Sequence, residues 1–136
     1  MSTACDGTSR MNLTMPAEPA SVPVLRRRAT EFAREQGVGE ELAADVALVV
    51  SEAVTNAVKY AGTSGDAGVV ELSARCGEDW LEVRVRDRGE GFGKGSADGL
   101  GLGLSIIARL SADLRIVQEG EGTEVRMRFP LSARSG

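Results

Sequence analysis

Seven of the chain's 17 glycines fall within residues 87–103, DRGEGFGKGSADGLGLG. Glycine loses more backbone freedom on ordering than any other residue, so this stretch cannot run throughout as ordinary helix or strand. It is a connection, and the regular elements must lie on either side of it. Before it, Trp80 to Arg86 alternates strictly: Leu81, Val83 and Val85 face one way, Glu82, Arg84 and Arg86 the other. That is the period of a strand with one buried face. After it, Leu104, Ile107, Ala108 and Leu110 recur at helical spacing, which predicts a helix over 102–111.

The remaining elements follow from the same periods. Met11 to Met15 alternates as a short strand, and Pro16 and Pro19 stop it. Val24, Leu25, Arg28, Ala29, Phe32 and Ala33 predict a helix over 21–36, ended by Gly37 and Gly39. The strongest helix covers 40–60. Glu40 and Glu41 suit its positive N-terminal end, and Leu42, Val46, Val49, Val50, Ala53, Val54 and Ala57 form a wide apolar face. Residues 62–68, GTSGDAG, are a loop by composition. Val69 to Arg75 is a strand that forms a hairpin with 80–86 across a turn at 76–79. Leu114 to Gln118 and Thr123 to Phe129 make a second hairpin. Hairpins with helices between them predict an α+β, two-layer α/β sandwich. Its sheet is expected to be mixed and mostly antiparallel, with helices on one face. One domain spans residues 1–136, with 1–9 and 131–136 as flexible tails.

Composition removes several chemistries. The chain has no histidine, so a histidine base, a histidine-ligated zinc and phosphohistidine are excluded. Sixteen basic against 20 acidic residues leave a net charge of −4, which argues against a direct nucleic-acid partner. Cys5 and Cys76 form no CxxC pair, so isolated thiols in a reducing cytoplasm are expected. No apolar run approaches the roughly 20 residues of a membrane span.

Four places carry candidate chemistry. Glu52 and Asn56 lie four apart on the long helix and point to one side. A carboxamide oxygen is a hard ligand suited to Mg²⁺, and a carboxylate can accept a proton. The alternative is a polar pair on a solvated stripe. Asp87 ends a strand just before Arg88–Gly89–Glu90–Gly91. There a buried carboxylate can accept a hydrogen bond from an exocyclic amine, and the glycines let a flat ligand approach. The alternative is an ordinary Asp-led turn. Gly99–Leu100–Gly101–Leu102–Gly103–Leu104 opens a helix whose backbone N–H groups suit phosphate oxygens, or it is a connector. Thr123 opens the last strand, where its hydroxyl reaches a base or a water, or it is simply a strand former.

The order ExxxN, DxGxG, GLGLGL and GT resembles the GHKL ATPases, the superfamily of gyrase-type ATPases and histidine kinases, over about residues 11–129. Within it, VVSEAVTNAVKYA and the arginine-bearing first helix resemble the bacterial anti-sigma-factor serine kinases. The resemblance implies a Bergerat-type ATP-binding fold and a protein serine/threonine kinase. Such a protein uses ATP and Mg²⁺, sequesters a sigma factor and phosphorylates a serine on a STAS-domain anti-anti-sigma factor. It also implies a cytoplasmic homodimer with no direct nucleic-acid or membrane partner. Carried onto this sequence, Asn56 is the Mg²⁺ ligand, Glu52 the general base, and Arg26 the arginine near the terminal phosphate. Asp87 binds adenine with Gly89 and Gly91 beside the base. Gly99, Gly101, Leu102 and Gly103 form the phosphate box, and Thr123 holds adenine through water. Only seven residues separate Gly91 from Gly99, shorter than the lid common in related kinases. That departure keeps an alternative in view: a non-catalytic, nucleotide-tuned binding module for a sigma factor or STAS protein.

Overall fold

The computed structural model describes residues 9–62, 68–87, 109–110, 113–119 and 122–131. Five strands and two helices follow in the order β1 (Ser9–Pro16), α1 (Ser21–Glu35), α2 (Glu40–Gly62), β2 (Val69–Cys76), β3 (Trp80–Asp87), β4 (Asp113–Glu119) and β5 (Gly122–Pro130). Every predicted element within these residues is present, with boundaries moved by one or two residues. Of the helix expected over 102–111, Arg109 and Leu110 are helical and the rest lies outside the described residues.

The strands form one sheet in the order β1-β2-β3-β5-β4. All four pairings are antiparallel, which corrects the expectation of a mixed sheet. The reason is the position of β5. β4 runs in the same direction as β3, but β5 lies between them, so no two neighbours are parallel.

Alternation decides which side of the sheet is covered. Val70, Leu72 and Ala74 of β2, Leu81, Val83 and Val85 of β3, and Val125, Met127 and Phe129 of β5 are buried in one core with the helices. From α2, Val46, Val49, Val50, Ala53, Val54 and Ala57 are fully buried. This helix needs its wide apolar face because it packs on both α1 and the sheet. α1 contributes Leu25, Ala29, Phe32 and Ala33, whereas Val24, expected on the same face, is 40% exposed.

α1 ends as its sequence dictates. Gly37 has φ 88°, a left-handed conformation that favours glycine. Its N–H donates to the Arg34 carbonyl and that of Val38 to the Ala33 carbonyl, the two bonds of a Schellman cap. Val38 is thereby turned into the core. At the other end of the helix, Ser21 Oγ donates to the Pro16 carbonyl at 2.7 Å and ties α1 to the end of β1.

Cys76, the last residue of β2, is disulfide-bonded, which overturns the expectation of an isolated thiol and with it the argument from cysteine for a reducing compartment. Cys5 lies outside the described residues. Among the described residues no helix is long and apolar enough to cross a membrane.

Candidate nucleotide-binding site

Asp87 and Thr123, 36 residues apart in sequence, are direct partners in the β3–β5 ladder. Both are buried, at 1% and 2% exposure. Val70 of β2 is the partner of Asp87 on its other side. The even side-chain period of β3 puts Asp87 on the face of Leu81, Val83 and Val85, beneath the helices rather than on the open side. Burial there disfavours the charged carboxylate, and its pKa rises to about 6 although the neighbouring Arg86 pulls it down. A carboxyl group held this way at the end of a buried strand is suited to pair with the polar edge of a heterocyclic base.

α2 packs on β3 and β2 and brings the second half of the candidate site. Asn56 is buried at 6% exposure, and its Nδ2 has no hydrogen-bond partner among the described residues. A buried amide left unpaired costs on the order of 1–3 kcal/mol, so it is a position awaiting a polar group. Glu52, one turn earlier on the same side, is half-buried. The solvated-stripe alternative therefore fails for Asn56.

Arg26 projects from α1 towards this turn of α2, its Nη1 3.4 Å from the Ser51 hydroxyl. Thr30 Oγ1 donates to the Arg26 carbonyl one turn on, at 2.7 Å. Arg27 and Arg28 share no such contact with α2 among the hydrogen bonds between described residues, so the helix singles out Arg26 from the run of three. Ser51 was not marked by the sequence. Its partner is 25 residues away on another helix, and neither residue carries a local signal of the pairing.

The structure thus brings Asp87 to Thr123, keeps Glu52 with Asn56, and sets Arg26 beside the residue preceding Glu52. Gly89, Gly91, Gly99, Gly101, Leu102 and Gly103 lie outside the described residues. Among the described residues no three acidic or cysteine side chains converge as a metal site.

The class this fold defines is a two-layer α+β domain whose single antiparallel sheet is covered by helices on one face. Residues 15–129 match the histidine kinase-like ATPase domain, and the chain belongs to that family. It is 37% identical over 76 residues to the serine-protein kinase RsbW of Listeria monocytogenes serotype 4a, covering 56% of this chain and 48% of that one. Against RsbW of Oceanobacillus iheyensis it is 34% identical over 75 residues, 55% of this chain and 48% of that one. The chain spans about half the length of the curated relatives it matches. Two solved structures share the fold. The RsbU and RsbW domains of a Mycobacterium tuberculosis protein superpose with a TM-score of 0.69 at 24% identity, covering 91% of this chain and 32% of that one. The SiaB–SiaC complex of Pseudomonas aeruginosa contains a chain with a TM-score of 0.67 at 16% identity, 88% of each chain being covered.

Proposed function

We propose that this chain is an ATP-dependent protein serine kinase that sequesters a sigma factor and phosphorylates a serine on a STAS-type anti-anti-sigma factor. The observation that carries the proposal is the buried Asn56, whose Nδ2 has no hydrogen-bond partner among the described residues, one helical turn from Glu52 on the helix that packs over Asp87's strand. The match to relatives named serine-protein kinases supports the reaction class.

The residues fit a magnesium nucleotide. Asp87 would receive the amino edge of adenine, with Thr123 opposite it, and Asn56 would hold Mg²⁺ through its carboxamide oxygen. Magnesium takes few protein ligands and many phosphate and water oxygens, so a single carboxamide suits it. When bound, the metal offsets phosphate charge. Glu52 accepts the proton of the attacking serine hydroxyl, and Arg26 faces the terminal phosphate. Gly89, Gly91, Gly99, Gly101, Leu102 and Gly103 complete the base and phosphate contacts in this proposal. A homodimer, cytoplasmic and without a direct nucleic-acid or membrane partner, completes it; β1 is an edge strand among the described residues, and a second copy would pair there.

The short segment between Gly91 and Gly99 favours a second reading, a binder of the same partners that does not transfer phosphate. One experiment separates the two. Proteins captured by this chain from native lysate in Mg-ATP are weighed intact, with the parent chain and with Glu52→Ala. A STAS protein that gains a phosphate with the parent and not with the variant is the kinase outcome. Loss of the base should lower the rate by about 10²–10⁴. Capture of the same protein without phosphate gain by the parent would establish the binder.

A further inference from the structure

Ser51 stands at the candidate site without a role in the proposed chemistry. It lies in the middle of α2, between the fully buried Val50 and the half-buried Glu52, and is itself half-buried. A serine inside a helix commonly returns its hydroxyl to the carbonyl one turn back. Ser51 makes no such bond among the described residues. The partner of its Oγ is instead Arg26 Nη1, 3.4 Å away on α1.

Arg26 is held by little else. Arg34, Arg75, Arg84, Arg115, Arg126 and Arg128 are each ion-paired with a carboxylate. Among the described residues no carboxylate lies within ion-pair distance of Arg26, so its charge is not offset. Its backbone is fixed separately, because the buried Thr30 donates its hydroxyl to the Arg26 carbonyl at 2.7 Å. The side chain has room to turn. Arg26 borders a cleft of about 490 Å³ along the seam of α1 and α2, with Arg27, Thr30 and Ala47. The backbone of α1 therefore sets where Arg26 starts, and the Ser51 hydroxyl sets where it ends.

We infer that Ser51 is a positioning residue for phosphoryl transfer: its hydroxyl holds the Arg26 guanidinium against α2, one residue from Glu52, without neutralising it. The inference rests on the proposed reading of the site, in which Arg26 faces the terminal phosphate. A hydroxyl suits the task better than the alternatives. A carboxylate at this position would form an ion pair with Arg26 and compete with the phosphate. A methyl group would leave the side chain undirected, and its rotamer freedom would have to be lost when nucleotide binds. A neutral acceptor occupies one N–H of the guanidinium fork and leaves the others for phosphate oxygens.

The probes are Mg-ADP and Mg-AMP-PNP, each displacing a fluorescent ATP analogue from the full chain, with anisotropy as the signal. Only the second carries a terminal phosphate for Arg26 to meet. Ser51→Ala should lower the preference for AMP-PNP over ADP about fivefold, with ADP affinity kept within about twofold. Ser51→Thr, which restores a hydroxyl, should restore the preference. Arg26→Gln should lower it at least as far, and adding Ser51→Ala to that variant should lower it no further. Arg27→Gln should change neither affinity. A serine that merely supports the fold would weaken both nucleotides alike, with or without Arg26, and that result would overturn the inference. So would an unchanged preference in Ser51→Ala where Arg26→Gln loses it, an outcome that leaves the proposed site standing. If Arg26→Gln keeps the parent's preference, the role of Arg26 fails and that of Ser51 with it. A parent chain that binds neither nucleotide would overturn the proposed function as well.

Discussion

Asp87 shows how one residue couples the site to stability. Its carboxyl has a pKa of about 6 in the fold against an ordinary 3.8. Below pH 4 it is protonated whether the chain is folded or not, and it contributes no pH dependence. Between 4 and 6 the unfolded chain releases the proton while the folded one keeps it, so stability falls as pH rises through this window and stays lower above it. A shift of this size corresponds to roughly 2–3 kcal/mol. Asp87→Asn should therefore raise the midpoint of thermal unfolding relative to the parent at pH 7.5, with little difference at pH 4. The same variant should lose at least tenfold in affinity for a fluorescent ATP analogue, because an amide oxygen without charge is a weaker acceptor for the amino edge of the base. A variant that is both more stable and a weaker binder would show that the carboxylate is kept for the ligand at the expense of the fold.

At the scale of elements, the β2–β3 hairpin has two features that hold its shape. A Cβ at Gly77 would come within 2.7 Å of Trp80 Cε2, so this glycine makes room for the ring that Arg75 and Arg128 flank. Gly77→Ala should cost on the order of 1–2 kcal/mol in urea unfolding and shift Trp80 emission. Glu82 links β2, β3 and β5 through its three arginines. Removing it leaves those guanidinium groups facing one another, partly screened by water, and Glu82→Ala should cost about 1–3 kcal/mol, less at high salt. Most of these elements were legible in the sequence. The strict alternation of β3 and the apolar face of α2 name their buried residues directly, and Gly37 marks a cap that the structure forms bond for bond. What was not legible depends on register. Alternation places Glu82 on the open side but cannot say that three arginines from neighbouring strands and its own will bury it. Nor can it reveal the Arg26–Ser51 contact, the disulfide at Cys76 or the outward turn of Val24.

At the scale of the whole molecule, the two faces of one sheet differ in what covers them. The covered face holds the core and, at its edge, Asp87 and Thr123. The open face carries arginines ion-paired with Glu82, Glu124 and Asp113. Glu52 and Asn56 were legible as a pair from their spacing, but their burial was not, because it depends on α2 packing between α1 and the sheet.

The place of β5 has a consequence for the order in which the protein can become competent. Among the described residues it is the last strand in sequence, yet it lies inside the sheet, between β3 and β4. While the chain is being made, β1, β2 and β3 can pair as they emerge, but the far side of β3 stays open until residues 122–130 arrive. Asp87 waits for Thr123 over all that time. A chain halted at Glu119 should bind no ATP analogue, as measured by anisotropy. Nucleotide binding would then report that synthesis has passed β5, and a chain that stops short of it would not compete for ATP.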